Sequence, residues 1–228
     1  MALLGLIGAL AVLALVFGPS IWAKSTLTRH KGDRPDYPGT GGELARHLLD
    51  EAGLEEVTVE TVPEGDHYDP LEKAVRLSPA HHDGRSLTAV AVAAHEVGHA
   101  LQDQAGYAPL AARTRLIRST AMIQKIGSAI IFGAPLLALV SRSPFVGLTV
   151  VGAGILTLGI SVVVHLVTLP VEFDASFKRA LPTLERGRYL PPEDMPAARR
   201  ILKACALTYV AASLASLLDL ARWIRFLR

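Results

Sequence analysis

Long apolar runs alternate with charged stretches along this chain, and the first run has the length of a membrane helix. Residues 1–23 carry no charged side chain, and roughly 20 apolar residues suffice to cross a bilayer as a helix. The segment is therefore either a retained anchor or a cleaved signal peptide. A basic start is missing and the small residues before Lys24 form only a faint cleavage site, which favours a transmembrane anchor over residues 1–23.

A second apolar block, residues 126–171, is long enough for two helices. The sequence Arg-Ser-Pro at 142–144 is typical of a tight turn, so the block is predicted to form a two-helix membrane hairpin. Apart from the arginine at this turn, the only ionisable side chain of the block is His165. An ionisable group inside a membrane segment is a candidate functional group. The alternative is a neutral histidine that is hydrogen-bonded to a neighbouring helix.

A last apolar run starts at Ala204 and ends before Asp219. It is short for a membrane span, so residues 204–228 are predicted to form either a transmembrane helix or an interfacial helix with its arginines at the lipid headgroups. Basic residues concentrate just after the first segment and just after the hairpin. Since cytoplasmic loops carry the excess of Lys and Arg, the polar regions 24–125 and 172–203 are expected on the cytoplasmic side of a prokaryotic plasma membrane.

The polar region 24–125 has the pattern of a small α+β unit. The helical spacing of its leucines predicts a helix over residues 43–52. Alternating apolar residues predict short strands at 57–61 and 74–77, while residues 66–70 are typical of a turn. Because a strand leads into the next helix, an exposed strand edge is expected beside that helix, where an extended peptide could pair.

The sequence His-Glu-Val-Gly-His at residues 95–99 carries the most specific chemistry of the chain. Residues four apart lie on one helical face, so both histidines could bind one metal ion. Glu96 lies one residue round from that face, where a carboxylate can act as general base on a water that zinc makes acidic. Ser86 can cap this helix, and the apolar run 87–94 predicts that it is buried rather than a surface helix.

Catalytic zinc sites usually have three protein ligands, so a third ligand must come from elsewhere in the chain. The single cysteine, Cys205, excludes a cysteine-based zinc site and an internal disulfide. The best candidate is Glu172, which directly follows the hairpin and is expected on the same side of the membrane as the histidines. The alternative is that Glu172 is an ordinary carboxylate at the membrane boundary.

Several blocks of sequence together resemble a known family. They are Asp-His-Tyr-Asp-Pro at 66–70, Val-Ala-Ala-His-Glu-Val-Gly-His-Ala-Leu-Gln at 92–102, Pro-Val-Glu-Phe-Asp-Ala-Ser at 170–176 and Leu-Thr-Tyr-Val-Ala-Ala at 207–212. The chain resembles the membrane-bound neutral zinc metallopeptidases of the YugP type and, more distantly, the HtpX-like membrane metalloproteases. This resemblance implies a membrane-bound endopeptidase that holds one Zn²⁺ through His95, His99 and Glu172 and uses Glu96 as its base.

The resemblance also raises the question of which group supports the histidine ligands. The HtpX-like proteases carry an Asp four residues after the ligand Glu, whereas this chain has Ser176 at that place and a carboxylate nearby at Asp174. Both are candidates for contact with a histidine. The developing oxyanion needs a further donor, for which the candidates are His67, His165 and Tyr209.

The sequence therefore predicts a membrane protein that is mainly α-helical, with a small α+β zinc metallopeptidase unit. It is expected to hydrolyse peptide or protein substrates at the membrane surface. The alternative is a non-catalytic zinc-containing membrane scaffold or assembly factor, but a purely structural site has no use for the base Glu96. A formal net charge of +2 and 6% aromatic residues indicate no nucleic-acid partner. The substrate and the oligomeric state are left open.

Overall fold

The computed structural model describes residues 2–141 and 144–208 of the chain. The protein is mainly helical with one small sheet, as the sequence predicts. The described residues form two compact units. One unit contains residues 2–18, 112–141 and 144–168, and the other contains residues 19–111 and 169–208.

The described helices and strands follow one another without large gaps. In chain order they are α1 (Ala2–Arg29), α2 (Gly41–Glu51), β1 (Thr58–Thr61), β2 (His67–Asp69), β3 (Ala74–Leu77), α3 (Pro79–His82), α4 (Leu87–Gln104), α5 (Ala108–Ser141), α6 (Pro144–Asp174), a π-helix (Ala175–Ala180) and α7 (Leu181–Gly187). Residues 195–208 are again helical. Most of the predicted fourth apolar segment, with Tyr209, lies outside the described residues.

The helices of the predicted hairpin extend beyond the apolar block. α5 already begins at Ala108, because nothing between Ala108 and residue 126 breaks a helix. This stretch contains no Gly, and its one Pro lies in the first turn of the helix, where Pro is tolerated. α5 and α6 approach closely within their unit at Gly127, where an added Cβ would collide with the Thr157 side chain. Among the described residues, one helical stretch, Gly152–Gly187, is long and apolar enough to cross a membrane.

The start of α2 is fixed by a capping box. The Thr40 hydroxyl accepts a hydrogen bond from the Glu43 backbone N–H, while the Glu43 carboxylate accepts one from the Thr40 N–H. After α2, Gly53 adopts a φ of +68°, a conformation that favours glycine and ends helices. The predicted helix over residues 43–52 is confirmed, with its start two residues earlier.

The sheet has the strand order β1-β3-β2, with β1 parallel and β2 antiparallel to β3. The predicted turn at residues 66–70 is wrong, because His67–Asp69 form strand β2, whose middle residue Tyr68 turns inward and is buried. A three-residue strand beside Pro70 is too short to show an alternating pattern. β3, the strand that leads toward the metal helix, is central, and the edges of the sheet belong to β1 and β2. Of these edge strands, β2 contacts α4, so the edge that the sequence places beside this helix belongs to β2 rather than to β3.

Helix α4 lies at the centre of the second unit. Every residue from Leu87 to Ala100 is buried, and the helix contacts α2, α3, β2, β3 and the π-helix. The Ser86 hydroxyl accepts a hydrogen bond from the Ala89 backbone N–H at 3.1 Å, which confirms the predicted cap. The many small side chains of α4 let neighbouring elements approach it closely, so the polar side chains within residues 87–100 lie in a dry interior.

Candidate metal centre

The chain passes from α6 into the π-helix beside the middle of α4, and the two backbones nearly touch there. A Cβ added at Gly98 would lie 2.7 Å from the carbonyl oxygen of Ala175. Glycine inside a helix is less favourable than alanine by about 1 kcal/mol. The close approach therefore explains why a glycine interrupts the metal motif, and it brings Glu172 beside both histidines.

Three buried side chains, which we call the crossing cluster, meet where α4 passes the π-helix: His95, His99 and Glu172. The Nε2 atoms of His95 and His99 lie 3.2 Å and 3.5 Å from the same carboxylate oxygen of Glu172, Oε2. One potential ligand atom from each of the three residues lies within 4.8 Å of the other two. Two imidazole nitrogens and a carboxylate oxygen are a donor set typical of catalytic zinc, so these residues fit a zinc ion.

Glu96 lies in the same interior as the crossing cluster. It directly follows His95 on α4 and is only 6% exposed. A carboxylate is rarely buried without a role for its charge, because removing it from water is costly. Its place next to the histidine face, rather than on it, suits a group that handles protons instead of binding a metal.

The outer ring nitrogens of the two histidines are held by different partners. Nδ1 of His95 lies 3.0 Å from the Ser176 hydroxyl, which also bonds to the carbonyl oxygen of Leu202 at 3.0 Å. Nδ1 of His99 lies 2.9 Å from Oε1 of Gln102. Such outer contacts fix the orientation of histidine ligands. Both rings are thus held with Nε2 toward Glu172.

Of the two predicted supporting residues, the structure places only Ser176 against a histidine. Asp174 is buried but contacts the amide of Gln102, at 2.9 Å from its Nε2, instead of a ring nitrogen. Sequence reasoning missed Gln102. A signal for it exists, since Gln102 lies three residues after His99 and thus on the same face of a buried helix.

The three candidates for the oxyanion donor either are not part of the crossing cluster or lie outside the described residues. His67 is exposed on β2, where its Nδ1 lies 3.1 Å from the carbonyl oxygen of Gly65, and it is not part of the crossing cluster. His165 belongs to α6 in the first unit and is half-buried. Tyr209 lies outside the described residues.

Comparison with known proteins gives the family. A family model described as "Putative neutral zinc metallopeptidase" matches residues 5–228. The chain is 36% identical over 217 residues to "Putative membrane protease YugP" from Bacillus subtilis (strain 168), a match that covers 94% of this chain and 92% of the relative. No solved structure matches the chain. The resemblance seen in the sequence is confirmed, and the chain belongs to this family of neutral zinc metallopeptidases.

Proposed function

We propose that this protein is a membrane-anchored zinc endopeptidase with its active site at the crossing of α4 and the π-helix. The observation that carries this proposal is the buried convergence of His95, His99 and Glu172, with the carboxylate of Glu96 next to them on α4. The name of the Bacillus relative, a membrane protease, supports both the activity and the location.

The crossing cluster would hold one zinc ion per chain. His95 and His99 would bind it through Nε2, and Glu172 would bind it through a carboxylate oxygen. When bound, zinc supplies Lewis-acid chemistry that polarises the scissile carbonyl group and makes a water molecule acidic. The burial of all three residues keeps bulk water from competing for the site.

Glu96 would move the protons of the reaction. Its carboxylate would accept a proton from the attacking water and later donate it to the nitrogen of the departing amine. His165 and Tyr209 stay candidates, from the sequence alone, for the donor to the developing oxyanion. His67 fits that role less well because it is exposed on β2.

The substitution Glu96→Gln tests the enzyme proposal. It replaces a proton acceptor with an amide of the same size, so we expect the full chain, purified in detergent, to keep its zinc and lose peptide hydrolysis by about 10²–10⁴-fold. Glu64→Gln is the matched control, since Glu64 is exposed on a loop.

Two results would contradict the assignment. Hydrolysis by Glu96→Gln within tenfold of the unmodified protein would place the base elsewhere. Zinc binding without hydrolysis of any unfolded protein substrate would favour the alternative, a non-catalytic zinc-containing membrane scaffold. If the protein is active, peptides that accumulate in membranes carrying Glu96→Gln would identify its substrates.

The membrane arrangement is part of the proposal. We propose a retained anchor over residues 1–23 and a membrane hairpin over residues 126–171, with the polar regions 24–125 and 172–203 on the cytoplasmic side. Exposed Phe17, Ile21 and Trp22 on α1 support the anchor, since apolar and tryptophan side chains are typical of contact with lipid and its interface.

Cysteine labelling in intact cells tests this orientation. In a Cys205→Ala background, a cysteine at Glu64 should be shielded from a membrane-impermeant thiol reagent until the cells are lysed. A cysteine at Arg142, at the predicted tip of the hairpin, should react in intact cells. The reverse pattern would place the active site outside the cell.

A further inference from the structure

We propose that Gln102 is a positioning residue that holds His99 in the tautomer protonated on Nδ1, with the lone pair of Nε2 directed at the zinc position. This inference rests on the zinc site proposed above and adds a residue to it. Gln102 is fully buried in the last turn of α4, one helical turn beyond His99. A buried amide needs partners for both of its ends, and these partners decide its orientation.

The orientation of the Gln102 amide follows from what surrounds its nitrogen. Nε2 lies 2.8 Å from the carbonyl oxygen of Val171 and 2.9 Å from Oδ1 of Asp174. A backbone carbonyl can only accept a hydrogen bond, and Arg179 also donates to Oδ1 of Asp174, at 3.3 Å. The end of the amide that faces these acceptors must be the NH₂ group. The carbonyl oxygen of the amide therefore faces His99.

The tautomer of His99 follows in turn. An oxygen acceptor 2.9 Å from Nδ1 requires a hydrogen on that nitrogen. A neutral imidazole carries one N–H, so its lone pair is then on Nε2, which is the atom that lies 3.5 Å from the Glu172 carboxylate. The wrong tautomer would oppose the amide oxygen with a lone pair and turn an N–H toward the metal position.

The same amide also locates the carboxylate ligand. Its NH₂ group holds the carbonyl of Val171, the residue directly before Glu172. Arg179 of the π-helix strengthens this connection, because it bonds to both Asp174 and the carbonyl oxygen of Leu101 on α4. Gln102 thus positions His99 by direct contact and Glu172 through the backbone, so its loss should disturb two of the three proposed ligands.

The first test measures zinc affinity by competition with a chelator, using the full chain purified in detergent. Gln102→Met keeps the length of the side chain but removes its hydrogen bonds. We expect the dissociation constant for zinc to rise about 10–100-fold, the range typical for the loss of a partner of a metal-binding histidine. Gln104→Met is the matched control: Gln104 is exposed on the same helix and bonds to Ala52. Its effect should be below about twofold.

The second test reads the tautomer directly and needs no variant of Gln102. Histidine ring nitrogens labelled with ¹⁵N distinguish an Nδ1–H ring from an Nε2–H ring by nuclear magnetic resonance in the zinc-free protein, with His99 assigned by the loss of its signals in His99→Gln. We expect the Nδ1–H form for the neutral ring of His99. In Gln102→Met this preference should disappear.

The outcomes separate the two proposals. If the unmodified chain binds no zinc, the proposed function fails, while the tautomer still decides the role of Gln102. An Nε2–H ring at His99 would overturn the inference. So would a folded Gln102→Met variant that keeps the tautomer and binds zinc within twofold of the unmodified chain, because a merely structural residue would lower only the melting temperature.

Discussion

Two clusters of the second unit combine histidine, carboxylate and serine, yet they differ in what their atoms can do. The first is the crossing cluster with the serine that holds one of its histidines. The second, which we call the capping cluster, consists of Asp66, Ser78 and His81. One oxygen of Asp66 accepts hydrogen bonds from the Ser78 backbone N–H at 2.8 Å and the Ser78 hydroxyl at 3.0 Å, and its other oxygen lies 2.8 Å from Nδ1 of His81.

In the capping cluster, the carboxylate of Asp66 serves to stabilise the backbone. Ser78 is the residue that precedes α3, so Asp66 stabilises the start of that helix. The hydroxyl of Ser78 and the carboxylate of Asp66 approach the same ring nitrogen of His81. The side chains of His81 and Asp66 are 21% and 19% exposed, whereas that of Glu172 is 2% exposed. This arrangement stabilises a turn and leaves no set of lone pairs directed at one point.

The comparison shows that residue types alone do not identify a metal site. In the crossing cluster two imidazoles on one helical face direct Nε2 at one carboxylate. Their Nδ1 atoms have separate partners, Ser176 on the π-helix and Gln102 on α4 itself. Two features therefore distinguish the crossing cluster from the capping cluster: its Nε2 atoms converge on one carboxylate, and each of its rings is held by a partner of its own. Each of the following predictions tests that distinction.

The largest contrast is expected for zinc binding after removal of the carboxylates. Glu172→Ala should weaken zinc binding by more than about 100-fold, because loss of a direct ligand costs more than loss of an outer partner. Asp66→Ala should leave the affinity of the folded protein nearly unchanged. Metal analysis after dialysis against a chelator measures both. Full zinc occupancy in Glu172→Ala would remove Glu172 from the site.

A second prediction concerns the close approach that forms the crossing cluster. Gly98→Ala would force a methyl group against the carbonyl of Ala175, so we expect the protein to lose about 1–3 kcal/mol of stability and to bind zinc more weakly. Gly159→Ala is the control, because an added Cβ there meets nothing within 4 Å. A thermal melt compares the two variants. Equal melting temperatures would show that the backbones can separate without cost.

The sequence predicted the helix that carries the site better than it predicted the contacts that hold the site in place. The spacing of His95 and His99 and the cap at Ser86 are local features, so the helix that carries the motif follows from the sequence. The contact of Gln102 with Val171 joins residues 69 positions apart in the chain, and periodicity within one segment carries no information about it. Strand β2 was missed for a related reason, since its pairing with β3 defines it more than its own three residues do.

A smaller, pH-dependent effect is expected at the capping cluster. Burial would raise the pKa of Asp66, but His81 and the Ser78 hydrogen bonds outweigh it and hold that pKa below its ordinary value. A lowered pKa stabilises the folded state at pH values above the ordinary value of about 3.9, and this stability is lost as the pH falls through the folded-state pKa. Asp66→Asn should therefore lower stability at pH 7 by about 1–3 kcal/mol.

The pH dependence of melting checks this prediction. The difference in melting temperature between Asp66→Asn and the unmodified chain should start to shrink below about pH 4 and disappear below the lowered pKa of the folded state, because the unmodified carboxyl is then protonated as well. Asp83→Asn is the control: Asp83 pairs with His82 at 2.6 Å but is 72% exposed, and exposed pairs contribute little. A difference that stays constant down to acidic pH would mean that the charge of Asp66 is not what stabilises α3.

The smallest effect is expected where the sheet meets α4. The Tyr68 hydroxyl donates a hydrogen bond to Asp103 at 2.8 Å, and Lys73 lies 2.6 Å from the same carboxylate oxygen. Tyr68→Phe leaves Asp103 paired with Lys73, so the loss should be about 0.5–1.5 kcal/mol of stability. Zinc affinity should not change, because Asp103 bonds to Tyr68 of the sheet, whereas Gln102 bonds to the end of α6. A fall in zinc affinity of tenfold or more would show that the sheet also positions the metal centre, and the contrast between the two sides of α4 would fail.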